Sequence, residues 1–220
     1  MVSFEDVCKR IFADTRWVPN VLIGGVLSFI PVANIFALGY LYRYFAQVHR
    51  GAGFAWPEWR DWEGLFKDGL RLLAVAAVYG LIPVFLLVIF LNGLNWAPEA
   101  TVTTLNGQSI SVSTHGNWLP FVGVGSIVLA LYLLVSPLWV MAMLYAFQPR
   151  QRWQVLLRPV VAWLMTRAAW PAFVVPVLAF WGLLVLGWPV IGFAFFLGFL
   201  VLGAYYTRLF LEIESRGPSR

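Results

Sequence analysis

Cysteine is almost absent from this chain. Cys8 stands alone among 220 residues, which excludes an intramolecular disulfide and a cysteine-rich metal site. Charge is scarce as well: Asp, Glu, Lys and Arg make up 11% of the residues against 61% hydrophobic. A soluble domain carries about a quarter charged residues and about half apolar ones. The imbalance makes lipid the solvent for most of the chain. Histidine occurs only as His49 and His115, and no HExxH, CxxC, GxSxG or P-loop pattern is present. The sequence therefore nominates no catalytic residue, no metal ligand and no cofactor site. The apolar stretches 72–91, 119–147 and 170–207 hold no Asp, Glu, Lys, Arg or His. An ionisable group at membrane depth is the usual mark of a proton relay or an ion-coupled site. Its absence argues against a secondary active transporter and an intramembrane protease.

What charge there is lies in a pattern. The net charge is +5, but basic residues beside apolar spans report orientation rather than nucleic acid, so no nucleic-acid partner is expected. No Lys or Arg falls between Arg71 and Arg150, or between Arg167 and Arg208. Those two gaps hold the outside loops, and the segments 43–71, 150–167 and 208–220 are cytoplasmic. Lys9, Arg10 and Arg16 precede the first apolar stretch, Trp17 to Arg50. A single pass there would strand these three cations outside. A hairpin, broken at Pro31 and Asn34, puts all fifteen basic residues on one side. The arms run about 19–30 and 32–48. The first is roughly 18 Å long at 1.5 Å per residue, short of a core about 30 Å thick. The hairpin, residues 17–49, is thus either two thin passes or a re-entrant pair. No cleavable signal is expected, because the first sixteen residues are mixed in charge.

Four further spans follow, at 70–91, 119–147, 170–186 and 190–208. The expected fold is a single transmembrane domain over 1–220, an all-α integral membrane bundle. Three amphipathic helices lie on its cytoplasmic interface. Residues 3–14 place Phe4, Val7, Ile11 and Phe12 on one stripe with Ser3 as cap. Residues 56–69 share Trp59, Trp62 and Phe66 on one face, with Pro57 in the first turn. Residues 151–166 form the third. On the outside, Asn106-Gly107 between β-branched runs predicts a small β-hairpin with Leu105 opposite Gln108 and Thr103 opposite Ile110.

The residues singled out as packing or solute-facing are Gly24, Gly25, Pro31, Asn34, Gly39, Tyr40 and Arg43. The glycines offer small faces for close helix packing, and a broken helix of this kind lines binding sites in some transporters. Arg43 is expected to snorkel to the cytoplasmic surface. Leu22-Ile23-Gly24-Gly25, Ile30-Pro31, Asn34, Gly39-Tyr40, Arg43, Pro57-Glu58-Trp59-x-Asp61-Trp62, Leu65-Phe66 and Gly69-Leu70 together resemble an uncharacterised prokaryotic membrane family, domain-of-unknown-function family 4013. The resemblance implies a prokaryotic multi-pass membrane protein and supplies no activity. The expected role is non-catalytic: a structural or accessory subunit, or a membrane-organising scaffold. It would work in the cytoplasmic (inner) membrane with both termini cytoplasmic. Its partners would be the lipid bilayer, anionic lipids, and copies of itself or a larger membrane complex. The alternative is a transporter or channel for a lipid-like or small neutral solute.

Overall fold

The computed structural model describes residues 3–51, 53–93, 102–103, 109–110, 119–148 and 159–216. Helix α1 (Phe4–Ala13) is amphipathic, with Val7 and Ile11 buried. Ser3 makes no side-chain cap. The apolar stripe of α1 meets a later helix rather than lipid: Phe4 sits edge-on to Tyr205 at 5.5 Å. Asp14 then ends the helix in extended geometry, and the Arg16 side chain and backbone both donate to its carboxylate.

Helices α2 (Trp17–Phe29) and α3 (Asn34–His49) fold back on one another. The break has a simple cause. Pro31 disfavours the helical conformation for the residue before it, and Ile30 is extended at ψ 115°. Asn34, expected as a turn residue, is instead the first residue of α3. The fold-back places Asn20 and Tyr40 at one level, because Trp59 reaches both: it stacks on Tyr40 at 4.1 Å and donates to Asn20 at 2.8 Å. At its other end α3 stops at Gly51, whose positive φ of 79° suits a glycine.

Helix α4 (Trp62–Ala76) starts at Asp61, which caps it by accepting from the Gly64 N–H at 3.0 Å. It runs through one π turn, Ala77–Leu81, into α5 (Ile82–Gly93). Helices α6 (Leu119–Phe147), α7 (Pro159–Leu186) and α8 (Ile191–Arg216) follow, the last two joined by a short turn at Trp188–Val190. Prolines interrupt three of these long elements. Each removes the N–H that would bond the carbonyl four residues earlier, and in lipid that carbonyl has no water to turn to. At Pro83, Pro137 and Pro176 the freed carbonyl finds a hydroxyl instead. Pro83 frees the Tyr79 carbonyl, which accepts from Tyr132 at 2.7 Å. Pro137 frees Leu133, which accepts from Ser136 at 3.1 Å. Pro176 frees Ala172, which accepts from Tyr205 at 3.2 Å. The π turn sits on the Pro83 site, as expected where the i−4 ladder loses a rung.

Buried residues form one continuous core from Val7 to Phe210. Its centre is α8, which packs on α2, α3, α6, α7 and α1. Helix α8 runs parallel to α3 and antiparallel to α2, since Phe196 meets both Tyr40 and Gly24 while Gly192 meets Phe29. By contrast, α5 has α6 as its principal helix neighbour. Leu81, Phe85, Leu86 and Phe90 on one side of that pair, and Ile127 and Leu131 on the other, are more than half exposed.

Several expectations are corrected. Among the described residues three helices, not four beyond the hairpin, are long and apolar enough to cross a membrane: Trp62–Phe90, Gly125–Phe147 and Trp188–Ser215. The apolar part of α7, Ala172–Leu186, and α2 are shorter, about 20 Å each at 1.5 Å per residue. Residues 56–69 are not a separate interfacial helix. Pro57 precedes the helix, and Trp62 onward is continuous with a span. The expected β-hairpin is not established either. Val102 pairs with Ile110 and Thr103 with Ser109, a two-residue ladder one residue out of the register a two-residue Asn106-Gly107 turn requires. Residues 104–108 of that turn, and 151–158 of the third expected amphipathic helix, lie outside the described residues, while 159–166 form the start of α7.

Candidate functional site: the α3–α4 latch and the cavity at Asn34

The motif residues converge on the contact between α3 and α4. Gly39 faces the Leu65 carbonyl so closely that a Cβ there would lie 1.8 Å from its oxygen. Gly69 faces the Ile35 carbonyl in the same way, at 1.9 Å. The two glycines, each four residues from the carbonyl its partner approaches, let antiparallel backbones touch. One turn further along, Arg43 lies over Gly64, where a Cβ would be 2.0 Å from a guanidinium nitrogen. It donates to Asp61 at 2.7 Å and to Asp68 at 2.8 Å. Arg71 also donates to Asp68, at 2.8 Å.

The Arg43 side chain is 24% exposed and Asp68 16%, so this pair is largely withdrawn from solvent and depends on its own geometry, while the same guanidinium reaches the 63%-exposed Asp61 at the rim. At the outer rim, the Gly64 N–H and then the Arg43 guanidinium hold the Asp61 carboxyl below its usual range. The carboxylates Glu58 and Glu63 pair locally with Arg60 and Lys67. Sequence reasoning missed the Arg43 bridge, which spans 18 and 25 residues of chain. It also missed Trp59 as the link between Tyr40 and Asn20. Spacing alone gives no signal for either; only the shared placement of Arg43 and Asp68 beside apolar runs, where an unpaired charge is costly, pointed that way.

The remaining singled-out residues lie elsewhere. Gly24 and Gly25 receive the rings of Phe196 and Phe193, so the small face of α2 is filled by the chain's own α8. Pro31 is exposed in the α2–α3 turn. Asn34 lines a cavity of about 440 Å³ with Leu73, Gly80, Ser136, Trp181 and Phe199, between α3, α4, α6, α7 and α8. Thus Gly39, Tyr40 and Arg43 come together on the latch, Gly24 and Gly25 on α8, and Asn34 at the cavity.

Long apolar helices, proline carbonyls served by intramembrane hydroxyls and glycine-mediated crossings define the class: a helical membrane protein. Within that class, residues 23–186 match the family described as protein of unknown function (DUF4013), and the chain belongs to it. Comparisons with curated proteins and with solved structures found no match.

Proposed function

We propose that this chain is a non-catalytic multi-pass protein of the prokaryotic cytoplasmic membrane, acting as a structural or accessory subunit. One observation carries the reading: six of the family-motif residues are spent on holding helices together. Gly39, Tyr40, Arg43, Trp59, Asp61 and Gly69 all belong to the α3–α4 latch or its Trp59 extension. The fold-back of α2 on α3 supports cytoplasmic placement of both termini and the interfacial cations, where anionic lipid would meet them. Because Gly24 and Gly25 are filled from within, contacts with copies of itself or with a larger complex would use the exposed face of α5 and α6 instead. Extraction of the tagged full chain from native membranes into lipid-retaining nanodiscs tests this. A stoichiometric partner or a defined homo-oligomer is expected; a monomer carrying lipid alone overturns it. For orientation, a membrane-impermeant maleimide is expected to leave Cys8 unlabelled in intact cells and to label it after lysis.

The second reading, a carrier for a lipid-like or small neutral solute, is favoured by the cavity at Asn34. Vesicles reconstituted with the protein are then expected to move a fluorescent single-chain lipid between leaflets faster than protein-free vesicles. Equal rates sink that reading.

A further inference from the structure

Helix α4 carries ions at a depth where α2 faces lipid. Gly39 lies against the Leu65 carbonyl and Gly69 against the Ile35 carbonyl, so α4 climbs α3 in a fixed antiparallel register. Lys67 is therefore level with Ala37, and Arg71 with the α2–α3 turn. Phe196 meets both Gly24 and Tyr40, which puts Val26 level with Leu38. Val26 and Lys67 thus stand at nearly one depth. Yet Val26, like Leu22 and Phe29, is an apolar side chain about half exposed, while Lys67 is 65% exposed and its partner Glu63 80%. Glu63, Lys67 and Arg71 recur every four residues along one edge of α4, rising about 12 Å.

An exposed ion at membrane depth needs water or headgroups beside it, not tails. At Leu72 the same helix changes character: residues 72–93 hold no charge and are long enough, at about 33 Å, for a whole hydrocarbon core. The hairpins differ. Helix α2 rises only about 20 Å from Trp17, and the turns that end the two hairpins carry exposed Val32, Leu186 and Trp188. So the apolar belt begins near Trp17 on the hairpin side and near Leu72 on the α4 side. A bilayer that meets both belts is stepped. Headgroups of the leaflet at the Trp17 end climb α4 to Arg71. Headgroups of the opposite leaflet come down to the short hairpins, because a stretch shorter than the core thins the bilayer around it. The two polar layers approach one another near the depth of Arg71 and Pro31.

We propose that the charged edge of α4 is a headgroup track along which the protein passes zwitterionic phospholipids between leaflets. The charges suit that class. Asp61, Glu63 and Asp68 offset Arg43, Lys67 and Arg71, so the edge is neutral overall but mixed in sign. A headgroup phosphate meets Lys67 or Arg71 and its ammonium meets Glu63, while the tails stay in lipid. Nothing in this path uses the cavity at Asn34, so transfer of a single-chain lipid there can fail while phospholipid still crosses at α4.

The test reconstitutes the full chain in vesicles holding a trace of NBD-labelled phosphatidylcholine, with dithionite added outside. Protein-free vesicles should keep the dye of the inner leaflet; vesicles with the chain should expose it while retaining an entrapped water-soluble dye. Glu63→Leu with Lys67→Leu interrupts the track and should slow the exchange by about tenfold or more. Glu63→Lys with Lys67→Glu keeps both charges on the edge and should restore the parental rate, the thermal melts of the three chains being alike. In a Cys8→Ser background, nitroxides on Val26→Cys and Lys67→Cys should differ: a water-soluble nickel chelate should reach the second and not the first. A folded chain that moves phospholipid no faster than protein-free vesicles, a folded double-leucine chain as fast as the parent, faster passage of phosphatidylglycerol than of phosphatidylcholine, or equal nickel access at the two positions would each overturn the assignment.

Discussion

The inner bundle and the α5–α6 arm are both apolar, yet they are held in different ways. In the bundle, close approaches are made by specific pairs such as Gly39 with the Leu65 carbonyl, Gly24 with Phe196, Gly203 with Phe45, Tyr40 with Trp59 and Arg43 with Asp68. In the arm, Phe85, Leu86 and Phe90 face outward, and the clearest polar fastening is the Tyr132 hydroxyl on the Tyr79 carbonyl. Lipid tails are as apolar as leucine, so hydrophobicity alone does not drive helices together within a bilayer. The difference teaches that shape and polar pairing specify the bundle, whereas the arm is specified mainly by its compatibility with lipid.

Substitutions can break this contrast. The largest effect is expected from Gly39→Leu. A side chain there meets backbone, which cannot rotate away, so α3 and α4 must separate, and the cost should exceed the roughly 1–3 kcal/mol usual for overpacking. Gly182→Leu, where nothing lies within 4 Å, is the control and should leave the thermal melt in detergent unchanged. Equal loss of folded protein from both would detach the cost from the backbone contact at Gly39.

Next comes Tyr132→Phe, which removes the hydroxyl that donates to the Tyr79 carbonyl and should cost about 1 kcal/mol. Adding Pro83→Ala restores a backbone N–H to the ladder, so the double variant should recover much of the loss. A double-mutant cycle that shows simple additivity would mean that the hydroxyl and the proline are not coupled. Arg43→Met should cost a similar amount by leaving Asp68 with Arg71 alone, and Phe85→Ala on the exposed face less than about 0.5 kcal/mol.

The smallest effect concerns acid. Asp61 has a folded-state pKa below its unfolded value, so its contribution is complete above the unfolded carboxyl range, about pH 4. It is lost as pH falls through the lower folded value. The melt should therefore be insensitive to this group from about pH 8 to 5. Below about pH 4, the parent should lose part of its advantage over Asp61→Asn. A constant gap between the two throughout would detach Asp61 from the latch.

The helical, membrane-compatible character of the chain was legible because composition and run length carry it directly. So was the break at Pro31, since proline acts on its immediate neighbours. Gly24 and Gly25 were conspicuous as a small interruption in a bulky run, but the rings that fill them come from the far end of the sequence. The interruption at Pro83 could have been read and was passed over, because a span of uniform hydropathy hides one missing N–H. The continuity of Trp62 with the following span was hidden for another reason. Charges at Glu63, Lys67, Asp68 and Arg71 resemble a surface helix until Arg43 is seen to cover Asp68.

The seating of Phe193 and Phe196 in Gly25 and Gly24 has a bearing on synthesis. The rings are made about 170 residues after the glycines that receive them. At roughly 5–20 residues per second, the N-terminal pair waits on the order of ten to thirty seconds with an unfilled notch toward lipid. During that interval a chaperone, an insertase or a neighbouring nascent chain has access to a surface that the finished protein no longer presents.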